Sequence, residues 1–459
     1  MNEPTYRDTL YTVDKRGNRR WVYCDIIKGK FYYWRAIVAY GLVVFYLALP
    51  WLGLVRLDFG ERKFVFFGGV FWSDDTIFLA LIFGGLAIAL FFFTALIGRV
   101  WCGWACPETV FLEFVYRPIE RLIEGNAAKR RKLDLQPWSL QKIAKKLLKH
   151  GLFAFVTWII ATSTLAYFTG PERVLEMITD WPWKNPIPFM WNIAILGVFA
   201  FQFGWFREQF CTVLCPYARF QSVLMDSHSL VVGYDSRRGE PRGKLRGRKK
   251  KDPAQGDCVD CGLCVRVCPT GIDIRNGIQL ECISCCTCID ACDSIMDSIG
   301  KPRGLIRYST EEGLSGNKVK ILRPRVAVYG VLLFLFVGIF GYLLVHRELS
   351  EFQVLRGALD KPFEVLPDGA ITNHLHIRIS NKSDAPHKYT FYVPGESSIQ
   401  AILPLNPFPV SPGKVETAPL FISFPRKILS GGTKKITIEM RSEDGFRASQ
   451  EVTLLGPER

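Results

Sequence analysis

The chain has 459 residues, enough for several domains, and hydrophobic residues make up 49% of it. Aromatic residues reach 14%, with 34 Phe and 12 Trp, which is unusual for a water-soluble domain. A net charge of +15 is compatible with nucleic acid, a membrane surface or basic loops between membrane spans. Nine of the 14 cysteines lie between Cys258 and Cys292. This clustering favours metal ligation in a reducing compartment and argues against a disulfide framework.

Five apolar segments without Lys, Arg, Asp or Glu are predicted to cross the membrane as helices. Each has the roughly 20 apolar residues that span about 30 Å of hydrocarbon. They are residues 36–55, 76–97, 151–169, 187–206 and 326–345. The first follows a basic arm of 35 residues and lacks a small-residue cleavage site, so we interpret it as a permanent span.

The basic residues predict the orientation of these spans. The arm has eight Lys and Arg, and the successive connections up to residue 325 have three, eleven, two and twenty. Because basic loops stay inside, the N-terminus and the cysteine-rich segment are predicted to be cytoplasmic at a bacterial inner membrane, and the tail after His346 periplasmic. The charge runs at 130–132 and 248–251 are then topology signals beside membrane lipid, and no nucleic-acid partner is expected.

The tail changes character and contains no cysteine. Alternating stretches at 374–379, 389–393 and 435–440 are separated by turn-rich pieces at 381–386 and 430–432, which predicts a small β-sandwich. The predicted fold class is a multi-domain membrane protein. It combines an α-helical transmembrane bundle of five spans, an inserted ferredoxin domain with two [4Fe–4S] clusters, and an all-β immunoglobulin-like sandwich. The predicted domains are an arm at 1–35, four spans within 36–206, a ferredoxin segment at 207–325 with its core at 256–300, a fifth span at 326–345 and the sandwich at 349–459.

The spacing C-x₂-C-x₂-C-x₃-C occurs twice, from Cys258 to Cys268 and from Cys282 to Cys292, as in bacterial two-cluster ferredoxins. Three close cysteines wrap one cluster, and the fourth reaches the other cluster. The first predicted ligand set is Cys258, Cys261, Cys264 and Cys292, and the second is Cys268, Cys282, Cys285 and Cys288. The alternative is a pair of zinc ribbons, which use two separated CxxC pairs without a third close cysteine. Cys24 and Cys286 fall outside this register and are predicted to be structural, buried or spare thiols.

Two CxxxCP motifs follow the second and fourth spans, with cysteines Cys102, Cys106, Cys211 and Cys215. Residues four apart share one face of a helix, so each motif is predicted to place two thiols side by side. The repeat indicates two pseudo-symmetric halves whose four thiols converge. Soft thiolates suit Cu(I), zinc or iron–sulfur, and the alternative is that these are packed hydrophobic cysteines.

The histidines give weaker signals. His374 and His376 share one face of a predicted strand and are candidates for a metal site, while His150 and His228 are candidates for a haem or quinone site. No GxGxxG fingerprint opening a helix and no P-loop occurs in the sequence, so nucleotide chemistry has no support.

Over essentially its whole length the chain resembles the FixG/RdxA/CcoG type of cytochrome oxidase accessory protein. The resemblance is carried by the order of segments, by GRVWCGWACP at 98–107 and by residues 282–308 with KPRGLIRY at their end. It implies reduction of Cu(II) to Cu(I) during assembly of a cbb3-type haem–copper oxidase, with a copper-transporting ATPase or oxidase assembly factors as partners and an unidentified electron donor. We predict Cys102, Cys106, Cys211 and Cys215 as the catalytic copper site. The alternatives are a quinol-linked electron conduit of the NapH/NosR kind and a non-catalytic assembly scaffold or copper carrier.

Overall fold

The computed structural model describes residues 12, 16, 18–58, 63–72, 75–244, 255–347, 349–356, 363–367, 369–383, 385–394, 398–443 and 445–457. The basic run at 248–251 and the first 11 residues of the predicted arm lie outside the described residues.

The helices, in chain order, are α1 Lys30–Trp51, α2 Thr76–Ile97, α3 Val100–Trp104, α4 Pro107–Phe111, α5 Arg117–Glu124, α6 Ala127–Leu135, α7 Leu140–Thr169, α8 Pro171–Thr179, α9 Pro186–Phe201, α10 Pro216–Leu224, α11 Ser236–Gly239, α12 Leu263–Arg266, α13 Thr287–Ser298, α14 Glu311–Leu314 and α15 Pro324–Val345. π-Helical turns occupy Leu112–Tyr116, Gln202–Phe206 and Phe210–Leu214, and 3₁₀ turns occupy Ile274–Asn276 and Arg426–Ile428. The strands are β1 Val55–Asp58, β2 Lys63–Phe66, β3 Gly69–Trp72, β4 Val231–Tyr234, β5 Ile306–Ser309, β6 Ser350–Arg356, β7 Phe363–Val365, β8 Ala370–Asn381, β9 His387–Tyr392, β10 Gln400–Ile402, β11 Phe408–Val410, β12 Val415–Pro425, β13 Thr433–Ser442 and β14 Arg447–Leu455.

Five helices in the described part of the chain are long and apolar enough to cross a membrane: α1, α2, α7, α9 with its continuation to Phe206, and α15. Two of them begin well before the predicted apolar runs, α1 at Lys30 and α7 at Leu140. Charged residues therefore extend these helices beyond the predicted hydrocarbon segments. The first span also ends earlier than predicted, at Trp51, and Val55 already belongs to β1.

The outer surface of α15 is apolar. Phe334 is 79% exposed, and Val328, Val331 and Val337 are exposed as well. A soluble protein rarely exposes such a continuous apolar surface, whereas lipid covers it without cost. This face is therefore suited to contact with the bilayer.

The chain forms two compact units, one of residues up to Arg56 together with Ala80–Gly338, and the other of Leu57–Leu79 together with Ile339–Arg459. In the second unit, one described sheet has the order β10-β12-β8-β6 with β7 on β8, and another has the order β11-β9-β13-β14. Alternating residues of these strands are buried in a common core that includes Ile377, Tyr389, Leu420 and Ile438. This is the predicted immunoglobulin-like sandwich.

The first unit contains the cysteine-rich segment. Strand β4 pairs antiparallel with β5, which lies after the second group of cysteines in the sequence. Val232, Ile289, Met296 and Ile306 form a buried apolar cluster with the cysteines. Residues distant in sequence thus enclose the ligand loops.

Candidate iron–sulfur and thiol sites

Two small cavities lie beside the ferredoxin loops. One is lined by Cys258, Cys261, Cys264 and Cys292, the predicted first ligand set. The other is lined by the predicted second set, Cys268, Cys282, Cys285 and Cys288, together with Cys264 and Cys286. The fourth cysteine of each motif therefore lines the cavity of the other motif. Sulfur donors around an otherwise largely apolar space fit a [4Fe–4S] cluster.

Burial makes these thiols hard to ionise in the absence of a cation. It raises the pKa of Cys268 to about 12 and that of Cys282 to about 11. In the first set, burial raises the pKa of Cys292 to about 12 and that of Cys264 to about 11. A positively charged metal centre reverses this preference because it binds the thiolate, so cluster insertion releases protons.

The two ligand loops share an unusual backbone conformation. Gly262 follows the second cysteine of the first loop with φ 65°, and Cys286 holds the equivalent position in the second loop with φ 61°. This left-handed conformation favours glycine and is costly for residues with a Cβ. Cys286 is therefore a turn residue that replaces glycine, with its buried Sγ directed to the carbonyl of Ser284 at 3.4 Å. Alignment of the two motifs would have revealed this role.

Cys24 joins the N-terminal arm to the ferredoxin segment. Its buried thiol donates to the carbonyl oxygen of Cys268 at 3.2 Å, and burial raises its pKa to about 12. The backbone N–H of Asp25 also donates to the carbonyl of Arg266 at 3.0 Å. The predicted structural role for Cys24 therefore has a specific partner, the turn at a cluster-ligand cysteine.

The CxxxCP motifs do not lie on continuous helices, contrary to the expectation that each pair shares one helix face. Cys102 lies in α3, whereas Cys106 is extended with ψ 126° and precedes α4. Cys211 lies in a π-helical turn, and Cys215 is extended with ψ 111°. The proline after each second cysteine explains the break, because its ring disfavours helical conformation in the preceding residue.

Cys211 has the other three CxxxCP cysteines among its electrostatic neighbours, and we refer to Cys102, Cys106, Cys211 and Cys215 as the four-thiol site. Burial raises the pKa of Cys211 well above its usual range, and its neighbours raise it further: Glu108, Cys106, Cys102 and Cys215. Burial raises the pKa of Glu108 to about 8, so this carboxyl is mainly neutral at pH 7. Within the described residues, no three His, Cys, Asp or Glu side chains are close enough together to hold a single metal ion.

The four-thiol site adjoins the second ferredoxin loop. Gly103, between the two cysteines of the first motif, packs so closely that a Cβ there would lie 2.5 Å from the carbonyl oxygen of Ile283 and 2.8 Å from the Cα of Cys285. The indole N–H of Trp104 donates to the hydroxyl of Tyr308 at 3.2 Å, and that hydroxyl donates to the carbonyl of Ser284 at 3.0 Å. The first CxxxCP motif and the second ferredoxin loop therefore pack directly against each other.

Three family descriptions match successive parts of the chain. Residues 206–311 match a 4Fe-4S dicluster domain, residues 77–126 match a 4Fe-4S binding domain, and residues 340–457 match the Ig-like fold at the C-terminus of FixG. Protein RdxB of Cereibacter sphaeroides is 37% identical, covering 89% of this chain and 88% of RdxB. The nitrogen fixation protein FixG of Rhizobium meliloti is 33% identical, covering 83% of this chain and 79% of FixG.

The chain belongs to the FixG/RdxA family. A more distant relative is the ferredoxin-type protein NapH of Haemophilus influenzae, which is 23% identical over 52% of this chain and 87% of NapH. This member of the FixG/RdxA family is thus a multi-pass membrane iron–sulfur protein that transfers electrons.

A buried ionic network, which the sequence analysis did not predict, supports the sites of this FixG/RdxA member. The fully buried Arg117 donates to Glu208 at 3.3 Å and to the carbonyl of Pro269, next to the ligand Cys268, at 3.1 Å. Glu120 accepts hydrogen bonds from Arg207 and Arg130, each at 2.7 Å. Burial would raise the pKa of Glu120, but the two guanidinium groups outweigh it and lower the pKa to about 2.

The candidate histidines are not brought together into a metal site within the described residues. In the sandwich, His374 Nε2 lies 3.6 Å from Glu364 Oε2, its ring contacts Phe421 edge-on, and His376 is exposed on the same strand. His150 packs edge-on against Phe153, and burial lowers its pKa. The backbone N–H of His228 donates to Asp226 at 2.9 Å.

Proposed function

We propose that this protein accepts electrons at its ferredoxin segment and delivers them to Cu(II) at the four-thiol site. Cys258, Cys261, Cys264 and Cys292 would hold one [4Fe–4S] cluster, and Cys268, Cys282, Cys285 and Cys288 the other. When bound, such a cluster accepts and releases one electron. The chain itself supplies the thiolate donors, excludes water with its apolar walls and fixes the separation between the sites.

The contact between Gly103 and the loop at Cys285 carries the proposal. Through this contact the loop at Cys285, which would hold a cluster, lies beside Gly103, the residue after Cys102 in the first CxxxCP motif. Thiolates bind Cu(I) better than oxygen ligands do, so copper bound there is stabilised in its reduced state. Copper binding requires the four thiols to move closer together, because in this structure they do not form a site for a single ion.

The reaction transfers one electron to each Cu(II), which becomes Cu(I), and no covalent bond to carbon, nitrogen or oxygen is made or broken. The ferredoxin segment supplies this electron. The site's own thiols are therefore spared oxidation to a disulfide, which would otherwise accumulate with turnover. We propose that the Cu(I) serves the assembly of a cbb3-type haem–copper oxidase, with a copper-transporting ATPase or an assembly factor as the receiving partner.

We further propose that the ferredoxin segment is cytoplasmic and the sandwich periplasmic at the bacterial inner membrane. The alternation of eight, three, eleven, two and twenty basic residues supports this orientation.

The direct test uses anaerobically purified full-length protein in detergent, reduced with dithionite and freed from excess reductant. Cu(I) formation is followed with a Cu(I)-specific chelator, and re-oxidation of the clusters by their visible absorbance. One Cu(I) for each electron lost from the clusters supports the proposal. Oxidation of an added quinol without Cu(I) formation would instead support a conduit of the NapH kind, and neither reaction would support a scaffold.

A second candidate occupant of the four-thiol site is a third [4Fe–4S] cluster. The match of residues 77–126 to a 4Fe-4S binding domain includes Cys102 and Cys106, and four thiolates are the ligand set of such a cluster. Iron analysis distinguishes the candidates, since two clusters give about eight iron atoms per chain and three give about twelve.

A further inference from the structure

The backbone at Gly103 lies very close to the backbone of the second ligand loop, which is possible because glycine has no side chain. The atoms that a Cβ would meet there are backbone atoms: the carbonyl oxygen of Ile283 at 2.5 Å, and the Cα and N of Cys285 at 2.8 and 2.9 Å. Backbone atoms cannot rotate aside as the end of a long side chain can. Gly103 is not in the left-handed region, so space and not conformation requires glycine here.

Arg99, four residues before Gly103, connects its own segment to two others by hydrogen bonds. Its guanidinium donates to the carbonyl of Leu280, just before the second ligand loop, and to the carbonyl of Ala218, just after the second CxxxCP motif. The side chain is buried, and the thiols of Cys102 and Cys282 are its main electrostatic neighbours. A fixed positive charge therefore lies beside a ligand of the second cluster and beside the four-thiol site.

The two ligand sets differ in their exposure to solvent at one cysteine. Cys258 and Cys264 of the first set are buried but Cys261 is exposed, so a soluble electron donor can approach this set closely, whereas no cysteine of the second set is exposed. The second set includes buried Cys285, whose loop is covered by Gly103 and, through Ser284, by Tyr308. Electron transfer slows steeply with distance. The exposed Cys261 therefore marks the end of a relay that a donor can reach, and the contact between Gly103 and Cys285 marks the end next to the four-thiol site.

We propose that Gly103 and Arg99 are positioning residues of an electron-exchange junction between the second ligand loop and the four-thiol site. The relay then has a direction: with clusters bound, electrons would enter on the side of Cys258, Cys261, Cys264 and Cys292 and leave on the side of Cys268, Cys282, Cys285 and Cys288. Gly103 sets the separation at the junction. Arg99 stabilises the additional negative charge on the delivering side. This inference rests on the proposed function for the identity of the acceptor only.

The first test compares Gly103→Ala with Gly204→Ala. Gly204 lies in the π-helical turn that precedes the second CxxxCP motif, and a Cβ there would meet no atom within 4 Å, which makes it a matched control. In Gly103→Ala the contacting backbones must separate. We expect full iron content, unchanged reduction by dithionite, and re-oxidation by Cu(II) slowed on the order of tenfold or more through misplacement of the partners. Gly204→Ala should match the parent.

The second test measures reduction potentials by EPR-monitored titration, which requires no acceptor. Arg99→Gln removes the charge and should lower the potential of one cluster while leaving the other unchanged. Arg99→Lys keeps the charge and should restore most of the shift. To identify the affected cluster, the titration is repeated in a Cys261→Ser background, which alters the signal of the first cluster.

The two tests separate this inference from the proposed function. If the parent reduces no copper but Arg99→Gln shifts the second cluster alone, the proposed acceptor is wrong and the junction stands. The junction is overturned if Gly103→Ala is re-oxidised at the parental rate, or if Arg99→Gln shifts the first cluster or neither. If Gly103→Ala fails to assemble its clusters, the reduction potentials of the Arg99 variants decide whether the junction exists.

Discussion

The carboxylate of Asp290 accepts a hydrogen bond from the backbone N–H of Tyr32 at 2.8 Å, although 258 positions separate the two residues. The other oxygen of this carboxylate accepts from the N–H of Phe31 at 3.1 Å. The N-cap residue of α1, Gly29, has no side chain that could cap the helix. A residue of α13, in the ferredoxin segment, therefore accepts the hydrogen bonds of the free N–H groups in the first turn of this membrane helix. The negative charge also suits the positive end of the helix dipole.

We expect Asp290→Ala to destabilise this junction by about 0.5–2 kcal/mol, the usual cost of a lost helix cap. The thermal unfolding midpoint of the detergent-solubilised protein should fall, with iron content unchanged. Asp297→Ala on the same helix is the control, because Asp297 pairs with an exposed Arg303 and its replacement should have little effect. Equal midpoints for the two variants would contradict the capping role.

The neighbouring cysteines Cys285 and Cys286 should respond oppositely to substitution. Cys285→Ser removes a proposed ligand and should lose one cluster, about four iron atoms per chain. Cys286→Gly relieves a left-handed conformation worth roughly 1–2 kcal/mol and should keep about eight iron atoms. Iron and acid-labile sulfide analysis under anaerobic conditions provides the measurement. Loss of iron in Cys286→Gly would make Cys286 a ligand.

The double variant Cys106→Ser with Cys215→Ser tests the four-thiol site. We expect both ferredoxin clusters to remain visible by EPR and copper reduction by the pre-reduced protein to be lost. His374→Ala with His376→Ala, in the sandwich, is the corresponding control and should reduce copper like the parent. Unchanged copper reduction in the cysteine variant would make these cysteines packing residues, and loss in the histidine variant would move the copper site to the sandwich.

Replacement of Glu120 should be costly because it deprives two buried guanidinium groups, those of Arg207 and Arg130, of the carboxylate they share. Glu120→Gln is expected to destabilise the first unit by about 3–5 kcal/mol. Glu172→Gln removes the exposed partner of Arg56, which lies at 3.4 Å, and should change stability by about 0–1 kcal/mol. Thermal unfolding and protease resistance report the difference. A Glu120→Gln protein as stable as Glu172→Gln would show that the network contributes little.

Reporter fusions test the proposed orientation. A fusion after Gly300 should be active only as a cytoplasmic reporter, and one at Arg459 only as a periplasmic reporter, because the basic connections remain inside. If both fusions report the same side, the chain crosses the membrane an even number of times between them. The proposed compartment of either the ferredoxin segment or the sandwich would then be wrong.

The sequence by itself determined the features that depend on near neighbours. Cysteine spacing predicted two ligand sets, and the members of each set line a common cavity, since three close ligands and one distant ligand are a property of a short loop. Apolar runs predicted the five spans, because a length of hydrocarbon requires a length of helix. Their ends were less predictable: Lys30 and Arg35 belong to α1, and Arg35 is buried because it donates to the carbonyl of Gly103 at 2.9 Å.

Tertiary structure decided which distant surfaces meet. No local pattern indicates that Cys24 contacts the carbonyl of Cys268, or that Asp290 caps α1. The CxxxCP motifs were expected on helices, but the proline after Cys106 and Cys215 breaks the helix, and packing between segments makes the other three cysteines electrostatic neighbours of Cys211. Gly103 is an ordinary residue in the sequence and becomes informative only beside Cys285. Spacing encodes how a loop can hold a cluster, whereas the neighbour of that loop depends on the packing of the entire first unit.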